Sequence, residues 1–220
     1  TPGSRDKAAQ ILRRYATRER LNYLRDYPFE EVPFIAISTQ DRVTKNIRIV
    51  VDTIGRMIRD ERFDIRILMT ARLMYGIGWT PVPDLVADEQ LVRDVVSIPD
   101  LPRMEHAALY HCAEVAVHPS IFEGGMGTFP FYEAVSVGTP CLMADGPHQR
   151  EMAARIPEID AYVFDPNDPD RLADLLRRVR HDRSAILAEQ RKLYCELQKR
   201  NWGDVAAGYV AAALGEKITR

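Results

Sequence analysis

The stretch FEGGMGTFPFYEAVSVGTP, residues 122–140, sets two carboxylates, Glu123 and Glu133, on either side of a glycine-rich turn. Such residues are poor material for a core and good material for a polar site. Gly124, Gly125 and Gly127 let a backbone approach a ligand closely and adopt positive φ. Thr128 can cap a short helix opening at Phe129-Pro130, where proline suits the first turn. Free amides at a helix start favour an anion, above all a phosphate. Glu133, about one turn into that helix, can accept hydrogen bonds from hydroxyls beside the phosphate, as carboxylates do when they hold ribose. Glu123 can do the same for a second polyol. Two polyols flanking a phosphate describe a nucleotide sugar. The same residues also fit a plain surface loop, with Glu123 a solvated charge and Glu133 a solvated helix residue.

The elements that must position this stretch are legible as alternating short apolar runs and helical patterns. Residues 33–38, 63–71, 91–101, 114–120, 140–145 and 161–165 read as strands. Ile47, Val50, Val51, Ile54 and Ile58 share one face of a helix from Lys45 to about Arg59, with Thr44 as its expected cap. Residues 78–90 read as a proline-broken loop, and 104–113 as a short helix. Residues 149–156 read as a helix, and Pro169 opens another with Leu172, Leu175, Leu176 and Val179 on one face. From Ser184 to about Gly215 the chain reads as helical, with a break near Asn201-Trp202-Gly203. Residues 5–27 carry helical spacing at Ile11, Leu12, Tyr15, Leu21 and Leu24. Strands alternating with helices mean a parallel sheet covered on both faces, with ligands at the carboxyl ends of the strands. The glycine stretch follows the strand VAVHPS directly and so falls at that end.

Bulk properties narrow the function classes. The chain has 220 residues, 46% of them hydrophobic, enough for one domain or two small ones. A net charge of -2 provides no field to recruit nucleic acid or an anionic membrane, and no basic and aromatic interleaving reads as a nucleic-acid surface. The three cysteines, Cys112, Cys141 and Cys195, show no CxxC spacing, which argues against a disulfide framework or zinc site and for a reducing, cytoplasmic compartment. No apolar run approaches the roughly 20 residues of a membrane span, and no leader pattern is visible. No Asp-x-Asp pair sits at a strand end to hold a metal; Asp165, Asp168 and Asp170 read as a loop and helix cap. His106 and His111 read as structural; His118, at a strand end, reads as a hydrogen-bonded structural histidine rather than a lining of the sugar pocket, and His148, at a strand-to-helix turn on the ligand side, as a helix cap rather than a donor contact.

From His118 to Pro140 the pattern HPS-x-x-EGG…FP-x-x-EA-x-x-x-G-x-P resembles the donor-binding motif of GT-B-type glycosyltransferases, above all the large retaining family 4, or group 1. Three further segments resemble the family in order: FIAISTQDRVTKNI with its Lys-Asn, MEHAALYHCAEVAVHPS, and AYVFDPNDPDRLADLL. The resemblance covers about residues 33–182. It implies an α/β, Rossmann-like doubly wound parallel sheet, one half of a GT-B fold, with flanking N- and C-terminal helices. It further implies a helical lead-in over 1–32, a nucleotide-sugar donor-binding domain over 33–183, and C-terminal helices over 184–220 packing on or beyond it. Glu133 would hold the ribose hydroxyls and Glu123 the donor sugar. Arg42 and Lys45 would face the diphosphate, meeting the charge on the leaving group where no metal is obligatory. Gly124, Gly125, Gly127, Thr128 and Thr39 would complete the donor pocket. Nine residues separate the two glutamates here, where the family has seven, and Ser38-Thr39 stand where the family has Gly-Arg.

What the resemblance implies in function is transfer of a hexose from a UDP- or GDP-sugar to a glycan or lipid-linked acceptor, as in surface polysaccharide synthesis. The acceptor half would precede this domain, since the start at Thr1-Pro2-Gly3-Ser4 rather than Met reads as a piece cut from a longer protein. The arginine clusters at 13–20 and 177–183 read as solvated helix faces and also allow peripheral contact with the inner face of a membrane. A nucleotide-sugar epimerase of the same fold, and a non-catalytic nucleotide-binding or interaction module, are the competing expectations.

Overall fold

The computed structural model describes residues 3–73, 80–123, 129–199 and 201–215. Helix α1 (Arg5–Arg18) starts where the Ser4 side chain accepts a hydrogen bond from the Lys7 amide, and it buries Ala8, Leu12 and Tyr15 at i, i+4 and i+7. Each such side chain as Leu12, fully buried, stabilises the fold by roughly 1.5–3 kcal/mol. A one-turn helix α2 (Asn22–Arg25) leads to β1 (Phe34–Ile37), and α3 (Ile47–Glu61) follows. The chain continues through β2 (Arg66–Met69), α4 (Val82–Asp88), β3 (Val95–Ser97), α5 (Arg103–Cys112), β4 (Val115–His118) and α6 (Phe129–Ser136). It ends with β5 (Cys141–Ala144), α7 (Pro147–Ala153), β6 (Val163–Phe164), α8 (Pro169–Leu197) and α9 (Trp202–Ala213).

The strands form a parallel sheet in the order β3-β2-β1-β4-β5-β6, with Ile35 opposite Val115 and Ala36 opposite Ala116 at its centre. Every residue of β1, β4 and β5 is buried, as a sheet covered on both faces requires. One core joins the sheet to α3, α4 and α8; the other joins it to α1, α5, α6 and α7. Because α3 and α6 leave adjacent strands for opposite faces, β1 and β4 flank the crevice at the sheet's topological switch point.

Three elements differ from their sequence reading. Residues 82–88 are a helix, not a loop. Pro83 sits in the first turn, where its missing N–H is no loss, and Val82 and Val86 are buried. Thr44 does not cap α3. It lies in a 3₁₀ turn (Val43–Lys45), and Asn46 stands at the cap position with left-handed φ 47° and ψ 35° and no side-chain cap bond. No new helix begins at Ser184 either: α8 runs on from Pro169, capped by the Asp168 carboxylate, with a kink at Asp182 (φ −124°, ψ 31°). The expected break near residue 201 is present, and a capping box of Asn201 and Asp204 starts α9, none of whose residues is buried.

Candidate active site at the sheet's switch point

The loop after β1 is tied down on three sides. Thr70, just past β2, accepts from the Thr39 amide at 2.9 Å and donates to the Thr39 carbonyl at 2.9 Å. The Thr80 hydroxyl donates to Asp41 at 2.5 Å. The Asn46 side-chain amide donates to the Pro166 carbonyl beyond β6 at 2.9 Å. The loop after β4 is bonded in turn to this one. The Ile121 amide and the Ser120 hydroxyl both reach the Thr44 carbonyl, at 3.0 and 3.3 Å. These bonds fix two strand-end loops against each other before any ligand is considered.

That frame brings Lys45 and Glu123 together across 78 residues of sequence: Lys45 Nζ lies 2.5 Å from Glu123 Oε1. Both side chains are largely buried, at 17% and 27% exposure. The same carboxylate oxygen lies 3.3 Å from His118 Nε2, off the alignment of a hydrogen bond. The Glu123 carboxyl is held well below the usual carboxylate range. Contact with His118 is the largest cause, Lys45 and Ser120 add to it, and partial burial opposes. Arg42 is exposed, and its side chain makes no hydrogen bond or ion pair with a described residue.

His118 is not the hydrogen-bonded structural histidine expected from the sequence. It is 3% exposed, and neither ring nitrogen has a hydrogen-bond partner among the described residues. His148, on α7, is buried with its nitrogens in the same state, and meets His118 edge-on with ring centroids 5.7 Å apart. Burial, and then the neighbouring His118, press the His148 ring toward its neutral form. Gly146 makes this possible: a Cβ there would stand 2.8 Å from His148 Cε1 and 2.9 Å from the Ile121 carbonyl oxygen.

Glu133 occupies a second wall of the region. It projects from α6 toward α5, and its Oε2 lies 4.0 Å from His106 Nδ1. His106 Nε2 is 2.6 Å from the hydroxyl of Ser38, at the end of β1. A cavity of about 590 Å³ opens here between α5 and α6, lined by Arg103, His106, Tyr110 and Glu133 among others. The Tyr110 hydroxyl is buried without a hydrogen-bond partner. Burial, and then Glu133, push its pKa well up. Burial also lowers the His106 pKa, with Glu133 opposing. The sequence reading preferred structural roles for His106, for His118 and for His148, which it took as a helix cap; the unpartnered nitrogens of His148 show that it caps no helix among the described residues. Their strands and helices are buried on the relevant faces, so no periodicity distinguishes them. Gly124, Gly125, Gly127 and Thr128 lie outside the described residues.

Chemically, the switch point offers a lysine for an anion and a carboxylate for hydroxyls, and the cavity offers a second carboxylate beside aromatic and imidazole groups. Among the described residues no group of three or more His, Cys, Asp or Glu side chains could hold a metal ion, and no helix is long and apolar enough to cross a membrane.

The same sheet and helices occur in solved structures of glycosyltransferases. Sucrose-phosphate synthase from Thermosynechococcus elongatus aligns over 91% of this chain and 48% of its own, with 20% identity and a TM-score of 0.66. The C-terminal domain of a glycosyl transferase group 1 family protein from Francisella tularensis aligns over 76% and 85%, with 16% identity and a TM-score of 0.61. A UDP-forming α,α-trehalose-phosphate synthase from Burkholderia vietnamiensis aligns over 94% and 51%, with 15% identity and a TM-score of 0.66. The chain therefore spans about half the length of the first of these, and its fold is that of the C-terminal domain of a GT-B enzyme. No curated protein matches the sequence significantly. The sequence pattern of glycosyl transferases group 1 matches residues 82–197, from α4 to the end of α8. More than half of the chain carries that pattern, and the chain belongs to the glycosyl transferases group 1 family.

Proposed function

We propose that this chain is the donor-binding domain of a retaining glycosyltransferase that takes a hexose from a nucleotide diphosphate sugar and passes it to a glycan or lipid-linked acceptor. The observation that carries the reading is the meeting of Lys45 and Glu123, 2.5 Å apart, between the strand-end loops of β1 and β4. In this reading Lys45, with Arg42 from the exposed start of the same turn, meets the diphosphate and stabilises the charge that grows on it as the sugar leaves. Glu123 holds the sugar hydroxyls and Glu133, at the edge of the α5–α6 cavity, the ribose hydroxyls. Gly124, Gly125, Gly127 and Thr128, with Thr39 beside the turn after β1, complete the donor pocket. No metal is required where Lys, Arg and amides supply the positive charge. The acceptor site lies in a second domain, a reading supported by the half-length alignment to the sucrose-phosphate synthase. Surface polysaccharide synthesis at the inner face of a membrane is the setting that fits this chemistry. The UDP-forming neighbour makes UDP the first nucleotide to try.

The test is a calorimetric titration of the chain with UDP, GDP, ADP and dTDP, repeated on Glu133→Ala. Selective binding of one diphosphate, weakened at least about tenfold in the variant, is expected; tenfold corresponds to about 1.4 kcal/mol, the scale of one charge-assisted hydrogen bond. Binding that is unchanged in Glu133→Ala refutes the ribose assignment. Binding of none of the four favours an interaction module over a donor domain.

A further inference from the structure

Glu123 has two candidate partners on one oxygen. Lys45 Nζ stands at 2.5 Å and His118 Nε2 at 3.3 Å, so the lysine neutralises the carboxylate and the imidazole stands by. Buried histidines normally have their ring nitrogens hydrogen-bonded. His118, 3% exposed and without a hydrogen-bond partner among the described residues, departs from that rule at the one place where it faces a carboxylate. We propose that His118 is a positioning residue for Glu123: when an anionic ligand draws Lys45 away, His118 takes up a proton from solvent and holds the carboxylate in its place.

The charge balance of the pocket directs the proton there. Among the described residues, the titratable groups gathered about His118 include Glu123 from the loop after β4, Lys45 from the turn after β1, His148 from α7 and, beyond His148, Asp145 just past β5. Asp145 is occupied by Arg150, which donates to its two oxygens at 2.9 and 2.5 Å. His148 packs edge-on against His118, and two imidazolium rings with centroids 5.7 Å apart would repel, so one ring of the two can charge. His118 is the ring in contact with Glu123. With Lys45 on Glu123 the carboxylate already has a cation beside it. With Lys45 on a diphosphate, Glu123 would be a half-buried carboxylate with no cation, and one proton on His118 restores neutrality. The carboxylate then keeps a fixed orientation toward sugar hydroxyls throughout the exchange. This proposal rests on the assignment of Lys45 to the diphosphate, and one arm of its test does not.

The full chain is titrated calorimetrically near neutral pH with sodium pyrophosphate and with UDP, in buffers of different ionisation enthalpy, so that protons exchanged on binding are counted. Wild type minus His118→Gln removes the ligand's own ionisation. The expected difference is an uptake of about half to one proton per ligand. The second arm needs no ligand: the His118 ring is followed by NMR in wild type, Lys45→Met and Glu123→Gln. In Lys45→Met the ring is expected to hold its second proton at pH values where the wild-type ring does not, and Glu123→Gln to abolish that change when combined with it. If no ligand binds but the ring responds in this way, the coupling of His118 to Glu123 stands and the donor reading fails. If ligand binds with no proton difference, or the ring is indifferent to Lys45→Met, the proposal is overturned.

Discussion

Gln190→Leu is expected to destabilise the whole β5 side of the sheet. The Gln190 carboxamide, fully buried on α8, accepts from the Cys141 amide and donates to the Cys141 carbonyl, both at 2.8 Å. It thus satisfies both backbone groups of the first residue of β5. Leucine has similar volume and neither polar atom, so two backbone groups lose their partner in a dry place. Each stranded group costs about 1–3 kcal/mol. The added apolar burial offsets about 1 kcal/mol. The net loss is about 1–5 kcal/mol, a large share of the roughly 5–15 kcal/mol that stabilises a typical protein. For a chain of this size that lowers Tm by about 2–20 °C. Urea unfolding followed by circular dichroism should show a lower midpoint at unchanged slope. Hydrogen exchange should locate the loss at the Cys141 amide. A loss below about 1 kcal/mol with that amide still protected would refute the reasoning, since it would mean the two bonds contribute nothing net. The effect reaches the site, because β5 leads directly into Gly146 and the start of α7, which carries His148.

Three further outcomes follow from the geometry. Gly146→Ala forces a Cβ to within 2.9 Å of the Ile121 carbonyl oxygen, a backbone atom that cannot give way cheaply, so thermal melting should reveal a loss of about 1–3 kcal/mol. Glu123, whose pKa His118 and then Lys45 depress below its ordinary value of 4.5 against partial burial, contributes stability that is fully present above that pH and is lost as the pH falls below it. The urea midpoints of wild type and Glu123→Gln should therefore converge on acidification from pH 6 to pH 3; a constant gap contradicts the linkage. Trp202 is 86% exposed on α9, so Trp202→Ser should change chain stability by less than about 0.5 kcal/mol in the same urea assay.

The elements were legible because their causes are local. A run such as FIAI is apolar at every position, which is what a strand buried on both faces needs, and the spacing from Ile47 to Ile54 writes one face of α3 directly into the chain. The errors came where local signals are ambiguous. Pro83 breaks a helix interior but suits a first turn, and only the burial of Val82 and Val86 shows which position it holds. Thr44 has the chemistry of a cap, yet the bond from Asn46 to Pro166 draws the turn elsewhere.

The sequence by itself determined a parallel α/β sheet, the placement of Lys45 soon after one strand and of Glu123 soon after another, and the family to which residues 82–197 belong. Only the tertiary structure decided that those two side chains touch, that Glu133 faces a separate cavity beside His106, and that His118, beside Glu123, meets His148 edge-on. Periodicity records which way a side chain points relative to its own element. Which strand ends become neighbours depends on the order β3-β2-β1-β4-β5-β6, set by pairings between residues about 20 to 80 apart in the chain, and no local pattern encodes it.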